Sequence, residues 1–167
     1  QENQKIITIN PNDEFAGLDM GRIYEDRGEF DKAIQEYQKV ITRKTNKNSM
    51  ASGGVDSGSL TLAYDALASL YTHSPKKNLG KALVFSKKVL SIEPKNPNKQ
   101  YNLGSIYFLA FQYAQAEKHL NIAINLDPEN HTFNSSLADL YQTTGKYDKA
   151  LNIYHKILQL LEADENR

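Results

Sequence analysis

The segment LGSIYFLAFQYAQAEKHLNIAINLDP, residues 103–128, decides the fold. Leu103, Gly104 and Tyr107 fall at i, i+1 and i+4, one stripe of a helix. Ala116, Leu120, Ala123 and Ile124 recur at i, i+4, i+7 and i+8, the stripe of a second helix. Gly104 and Ala116 carry little or no side chain, so the two backbones are expected to approach closely there, with Tyr107 filling the space beside them. Asp127-Pro128 closes the second helix, because proline has no N–H and its ring clashes with the preceding turn.

The arrangement returns three more times. A small residue followed three positions later by tyrosine occurs as Gly21/Tyr24, Ala68/Tyr71, Gly104/Tyr107 and Ala138/Tyr141. Met20, Leu67, Leu103 and Leu137 precede the small residues, and an alanine lies downstream in each unit: Ala33, Ala82, Ala116 and Ala150. The small residues are separated by 47, 36 and 34 positions. One period of 34 accounts for all three spacings, given two inserted residues in the second unit and thirteen before it. Ile92-Glu93-Pro94 ends the second unit as Asp127-Pro128 ends the third. Asp31 and Asp148 fall where second helices begin, where a carboxylate suits the helix dipole.

These residues resemble the tetratricopeptide repeat. The third unit matches it with Leu103, Gly104, Tyr107, Tyr113, Ala116, Leu120, Ala123 and Pro128. The fourth does so with Leu137, Ala138, Tyr141, Gly145, Tyr147, Ala150, Tyr154 and Ile157. The first has Met20, Gly21, Tyr24, Gly28, Phe30, Ala33, Tyr37 and Val40, and the more divergent second has Leu67, Ala68, Tyr71, Leu79, Ala82, Val89 and Pro94. The resemblance implies an all-α chain, a right-handed α-solenoid of about four helix-turn-helix repeats. The expected organisation is an N-terminal extension 1–13, repeat 1 at 14–47, a flexible Gly/Ser-rich insert 48–59, repeat 2 at 60–96, repeat 3 at 97–130, repeat 4 at 131–164 and a tail 165–167. The stretch 46–58 has no apolar periodicity and reads as a loop. The sequence departs from the pattern in a longer turn at 72–78 and in Phe111, which stands where the turn glycine is usual.

Composition narrows the function. Lys+Arg and Asp+Glu are both 20 in 167 residues, so no basic excess drives binding to nucleic acid or to an anionic membrane surface. No apolar run approaches the roughly 20 residues of a membrane-spanning helix. The absence of cysteine removes disulfides, thiolate metal sites and cysteine nucleophiles. His73, His119, His131 and His155 form no metal-binding spacing, and the chain has no GxGxxG, GxxxxGK[ST] or GxSxG motif. Glu25, Asp26 and Glu29 read as a solvated helix end. The matches to a glycosylation acceptor at Asn130 and Asn134 are chance, since Asn134 falls on a packing face. The expectation is a chain without catalytic, cofactor-binding or metal-binding residues, acting on a protein or peptide. The compartment stays open: cytoplasmic, or periplasmic or secreted if a signal peptide preceded Gln1.

The resemblance places a partner in the groove lined by the first helices: Arg22 with Leu18 and Glu25, Asp65 with Leu62, Ser69 and Thr72, then Asn98, Tyr101, Asn102, Ser105 and Phe108, and Thr132, Ser135, Asp139 and Gln142. Tyr101 and Phe108 lie off the packing stripe and serve equally as a binding patch or as packing against neighbouring first helices. Family members that grip C-terminal carboxylates do so with Lys, Asn, Asn, Lys and Arg over three repeats. Of the positions equivalent to those, in either register, only Asn102 matches, which argues against that specificity. Non-catalytic scaffolding through the groove is the expected function. The alternative is self-assembly through the last helix, whose Tyr154, Ile157, Leu158 and Leu161 form an apolar strip suited to an interface.

Ala116→Leu tests the close approach of the helix pair. Overpacking there should cost about 1–3 kcal/mol, read as a fall in melting temperature; an unmoved melting curve would refute the pairing.

Overall fold

The computed structural model describes residues 14–48 and 57–165. Among them are eight helices and no strand: α1 (Glu14–Asp26), α2 (Phe30–Asn48), α3 (Gly58–His73), α4 (Leu79–Ile92), α5 (Pro97–Leu109), α6 (Tyr113–Leu126), α7 (His131–Thr143) and α8 (Tyr147–Glu165). The chain divides into two compact units, Gln1–Ile92 and Glu93–Arg167. In the N-terminal unit α1 pairs with α2 and α3 with α4, α2 packs on α3, and the first helices α1 and α3 touch. The C-terminal unit repeats the scheme with α5 and α6, α7 and α8, α6 on α7, and α5 touching α7.

The stretch read as a loop is shorter than expected. Asn46, Lys47 and Asn48 belong to the last turn of α2, and Gly58 and Ser59 to the first turn of α3. Ser59 is buried, and each residue added to an existing helix gains a backbone bond whether or not its side chain is apolar. The remainder of the expected insert, 49–56, lies outside the described residues, as does the extension 1–13.

The small residue works as expected, with a different partner. A Cβ on Gly104 would lie 3.1 Å from Leu120 Cγ and 3.2 Å from the Leu120 backbone nitrogen. The close contact is therefore with Leu120, one turn beyond the fully buried Ala116. In the first repeat a Cβ on Gly21 would fall 2.3 Å from the ring of Tyr37, the residue in register with Leu120.

Each tyrosine of the repeat also fixes the turn that follows it. The carbonyl of Tyr24 accepts the N–H of Glu29 at 2.8 Å, Tyr71 that of Asn78 at 2.7 Å, Tyr107 that of Gln112 at 2.9 Å and Tyr141 that of Lys146 at 2.8 Å. Four residues further on, the repeat alanine donates its N–H to the carbonyl of that same turn residue, from Ala33 to Glu29 through Ala150 to Lys146. The longer second turn, Ser74–Asn78, ends on the same bond; its Asn78 Oδ1 then accepts the N–H of Lys81 at 3.0 Å and caps α4. Outside, Lys32, Lys81 and Lys149 hold their ammonium groups 5.3, 5.0 and 5.1 Å from the ring centres of Tyr24, Tyr71 and Tyr141.

Three of the four turns pass through the left-handed region, at Gly28 (φ 73°), Gly145 (φ 73°) and Phe111 (φ 59°). Their N–H groups bond back to Glu25, Gln142 and Phe108, completing the two-bond helix termination. The turn geometry is dictated by the helix pair, so Phe111 adopts the glycine conformation despite its Cβ. Asn96 and Asn130 begin α5 and α7 by accepting N–H groups from Asn98 and Phe133. Asn134 is buried and gives its amide to the carbonyls of Pro128 and Asn130, so the second glycosylation match is inaccessible.

In the C-terminal unit a polar knot ties α6 to α7 and its turn. Glu117 accepts from the Tyr141 hydroxyl at 2.8 Å and from Lys146 Nζ at 2.9 Å. Donation from Lys146, with that of Tyr141, holds the Glu117 carboxyl below its ordinary range. Behind it His119 Nδ1 lies 2.9 Å from Gln100 Oε1, while the Gln100 amide nitrogen donates to Pro94. Oε1 is then the acceptor, so His119 carries a proton on Nδ1; its ring stacks on Tyr107, with centroids 5.5 Å apart.

Two substitutions probe these features. Phe111→Gly should raise stability by about 1 kcal/mol, the cost of a left-handed side-chain residue, because the exposed ring loses little packing; thermal melting reads it. Glu117→Gln should melt below the native chain at neutral pH. A depressed carboxyl stabilises the fold above its unfolded pKa and loses that contribution as pH falls through the folded one. The gap between the two proteins should therefore close on acidification below the ordinary glutamate range.

Candidate functional site

Phe15, Leu18 and Arg22 lie three or four residues apart on α1, and Leu62, Asp65 and Ser69 do the same on α3. Each set forms one helix face, and the two faces line a common cavity of about 440 Å³ in the N-terminal unit. Asp19, Glu25 and Ala66 complete its walls, and Tyr37 of α2 reaches it from behind. The repeat scheme makes this space: α1 and α3 touch as neighbouring first helices, while their packing stripes turn toward α2 and α4.

Apolar and acidic groups share the groove. Phe15 is 60% exposed and Leu62 51% exposed, unusually open for such side chains. Asp19, Glu25 and Asp65 line the groove together with Arg22. Burial raises the Glu25 carboxyl above its ordinary value, the nearby Asp26 charge adds to this, and Arg22 opposes it. The Tyr37 ring is wholly buried, and burial with the Glu25 charge pushes its phenol well above the usual range. Glu25 lies beside that hydroxyl as a hydrogen-bonding group, and Tyr37 Oη has no other partner among the described residues.

The sequence-expected groove residues fall into distinct settings. Arg22 and Asp65 line the cavity with Leu18, Glu25, Leu62 and Ser69, whereas Thr72 is buried and bonds the Ala68 carbonyl at 2.7 Å. Phe15, Asp19 and Tyr37 were missed. Phe15 and Asp19 precede Met20, the first residue that matches the repeat pattern, where only the continuing helical spacing could have flagged them. Tyr37 looked like pure packing.

In the C-terminal unit Tyr101 is not free: its ring stacks on Phe133 with centroids 4.9 Å apart, and its hydroxyl meets Ser136 at 3.3 Å. Of its two readings, packing between first helices is the one the geometry displays. Phe108 is half-buried and tilts against Tyr113 at 5.9 Å. Asn98, Asn102, Asp139 and Gln142 are exposed and Ser105 and Ser135 half-buried; Asp139 accepts the Tyr154 hydroxyl at 3.0 Å.

Tyr154 and Leu158 of the expected apolar strip on α8 belong to a wider exposed face. Tyr147, Leu151 and Leu158 are 64, 54 and 55% exposed, and with the half-buried Tyr154 they form one stripe at i, i+4, i+7 and i+11. Ile157 is half-buried, and the side chain of Leu161 lies outside the described residues. Tyr147, quoted only for the repeat, and Leu151 were absent from the expected strip, although their helical spacing with Tyr154 and Leu158 could have found them. One repeat earlier the same register holds Tyr113, Glu117, Leu120 and Ile124, half-buried or buried on a helix that α7 covers. Among the described residues no group of three or more His, Cys, Asp or Glu could hold a metal ion, and no helix is long and apolar enough to cross a membrane.

Comparison with known proteins agrees with the repeat. A family model for the tetratricopeptide repeat matches residues 18–47 and 100–130, and one described as YpiA-like, tetratricopeptide repeats, matches 116–162. A TPR repeat-containing protein of Methanocaldococcus jannaschii is 24% identical over 95% of this chain. Superkiller protein 3 of Schizosaccharomyces pombe is 34% identical over 49% of it. This chain spans only 27% and 6% of those two relatives. Among solved structures, a crystal structure of MamA superposes with a TM-score of 0.78 at 20% identity, covering 99% of this chain and 88% of that one. MamA from Desulfovibrio magneticus gives 0.77 at 19% identity, covering 96% and 82%. The two tetratricopeptide models together span more than half of the sequence, and the four-fold register of small residue, tyrosine and alanine accounts for the rest of the repeats: the chain belongs to the tetratricopeptide-repeat family.

Proposed function

We propose that this chain is a non-catalytic scaffold that holds a peptide or protein segment on its first helices. The observation that carries the reading is the groove between α1 and α3, where Phe15 and Leu62 stay open to solvent beside charged groups. Exposed apolar side chains within a concavity favour a partner, because each gains by leaving water on contact. The names of two partial relatives point the same way, one a subunit of the anaphase-promoting complex and one a member of the BBSome complex. Among the described lining residues no acid–base pair contacts a nucleophile, and the chemistry they offer is that of recognition.

A second reading rests on α8. Its stripe of Tyr147, Leu151, Tyr154 and Leu158 has, at the position of Glu117, a leucine. In the preceding repeat that glutamate receives the Tyr141 hydroxyl and Lys146 of the next helix pair. With Leu151 there, an apolar helix suits the face better than a tyrosine and a lysine. The stripe on a second copy is such a surface, and two of them meeting about a two-fold axis form a self-complementary contact.

Separate variants test the two. Leu62→Asp should leave the melting curve within about 0.5 kcal/mol of native, as for other exposed sites, and abolish capture of proteins retained by the native chain. Unchanged capture would remove the groove from the account. Leu151→Glu with Leu158→Glu should shift any concentration-dependent dimer to monomer by light scattering; an unaltered oligomeric state would end the self-assembly reading.

A further inference from the structure

We infer that a second copy of the chain covers α8 antiparallel and in one register, with His155 of each copy against Asp148 of the other, so that self-association tightens when His155 is protonated. This rests on the self-assembly reading of α8 and adds the contacts that govern it.

The seam comes first. Tyr147, Leu151, Tyr154 and Leu158 are separated by four, three and four residues, the spacing by which two helices pair along their length as a coiled coil. The order is also symmetric. Reversed against itself, the stripe sets Tyr147 opposite Leu158 and Leu151 opposite Tyr154, so each ring meets an aliphatic side chain. Both halves of the contact close at once, as a two-fold axis requires.

Charge selects the register. Asp148 and His155 are both exposed, seven residues apart on one edge of the seam, the edge opposite the buried Ala150. In a two-fold antiparallel pair the like edges of the two helices adjoin. With the seam closed as above, Asp148 and the partner's His155 are two residues apart along the shared axis, about 3 Å. The same contact recurs on the other side of the dyad. Sliding the partner by three residues sets Asp148 against the partner's Glu162 instead, a like-charge contact.

The N-terminal unit displays what such an acid does when its helix is covered. The same register on α2 holds Phe30, Asp31, Ile34, Tyr37 and Ile41. There α3 packs on α2, and Lys76, in the turn that follows α3, reaches Asp31 at 2.8 Å. The covering element brings a cation to the acid in the first turn. Asp148 is the matching acid of α8, and a second α8 brings His155 to it.

The other charged groups leave this pairing uncontested. On α7, which packs against α8, the titratable side chains are His131, Asp139 and Tyr141. Asp139 accepts the Tyr154 hydroxyl and Tyr141 donates to Glu117. On α8 itself Asp148 and Glu162 are each seven residues from His155, about 10.5 Å along the axis. Lys156 is turned about 100° from His155, and Lys149 lies over the Tyr141 ring. A histidine that gains an acid favours its charged form. The added attraction is therefore present below its ordinary pKa of about 6.5 and is lost as pH rises through the higher value it has in the dimer.

Sedimentation of the full chain over a range of concentrations, at about pH 5.5 and about pH 8, brackets that titration. The dimer should be about three- to tenfold tighter at the lower pH, as expected for two exposed ion pairs. His155→Gln and Asp148→Asn should each abolish this response, and the exposed His155→Gln should leave the melting curve unmoved. Exchanging the pair, Asp148→His with His155→Asp, should restore the response, because the contact runs between copies. A dimer equally strong at both pH values, a response that survives His155→Gln, or an exchange that restores nothing overturns the inference. If Leu151→Glu with Leu158→Glu still disperses that dimer, the self-assembly reading stands without it. A chain that is monomeric at every concentration and pH overturns both.

Discussion

Each repeat depends on one junction, where the carbonyl of the repeat tyrosine accepts the N–H of the residue immediately before the next helix. The bond fixes where the second helix starts and hence which of its residues face the first. It survives a two-residue lengthening of the second turn, ending at Asn78, and it survives replacement of the turn glycine by Phe111. Close approach at Gly21 and Gly104 follows from it, because the second helix returns directly over the small residue. A bond worth little alone acts here as a hinge pin, since many buried contacts register against it.

From that junction comes the division of labour between faces. Packing stripes of first and second helices are consumed within the pair, and within each unit the two first helices then meet side by side. Between α1 and α3 that meeting leaves a groove; between α5 and α7 Tyr101 fills the space by stacking on Phe133. A single aromatic at the entry side of a first helix thus decides whether two neighbouring repeats have a cavity or a closed seam. The register that gives Tyr101 in the third repeat gives Leu18 and Asp65 in the first two, and both of these line the cavity.

Second helices obey a similar rule. The face of α6 is a mixture of tyrosine, glutamate and aliphatic residues because α7 covers it and supplies a tyrosine hydroxyl and a lysine to the glutamate. The matching face of α8 has exchanged that acceptor for Leu151 and is open among the described residues. What looks in sequence like one more copy of the repeat is in chemistry a different surface, set by a single charged-to-apolar exchange.

The sequence by itself determined the repeat, its four-fold register, the helix pairs and the buried positions, because the spacing of small residue, tyrosine and alanine is a local pattern repeated often enough to be unambiguous. Resemblance to the repeat family also placed Arg22, Asp65, Leu18 and Leu62 on the groove face of the first helices. The sequence overextended the loop, because polar residues at 46–48 and 58–59 continue helices whose stability comes from packing elsewhere. Only the tertiary structure decided which faces are open. Whether Tyr101 projects or stacks, whether Tyr37 finishes in a core or behind a groove, and whether Ile157 or Leu151 is the exposed side chain of α8 all depend on the rotation of one helix against another. That rotation is set by contacts between residues distant in sequence, where a shift of one position along a helix turns a side chain by about 100°.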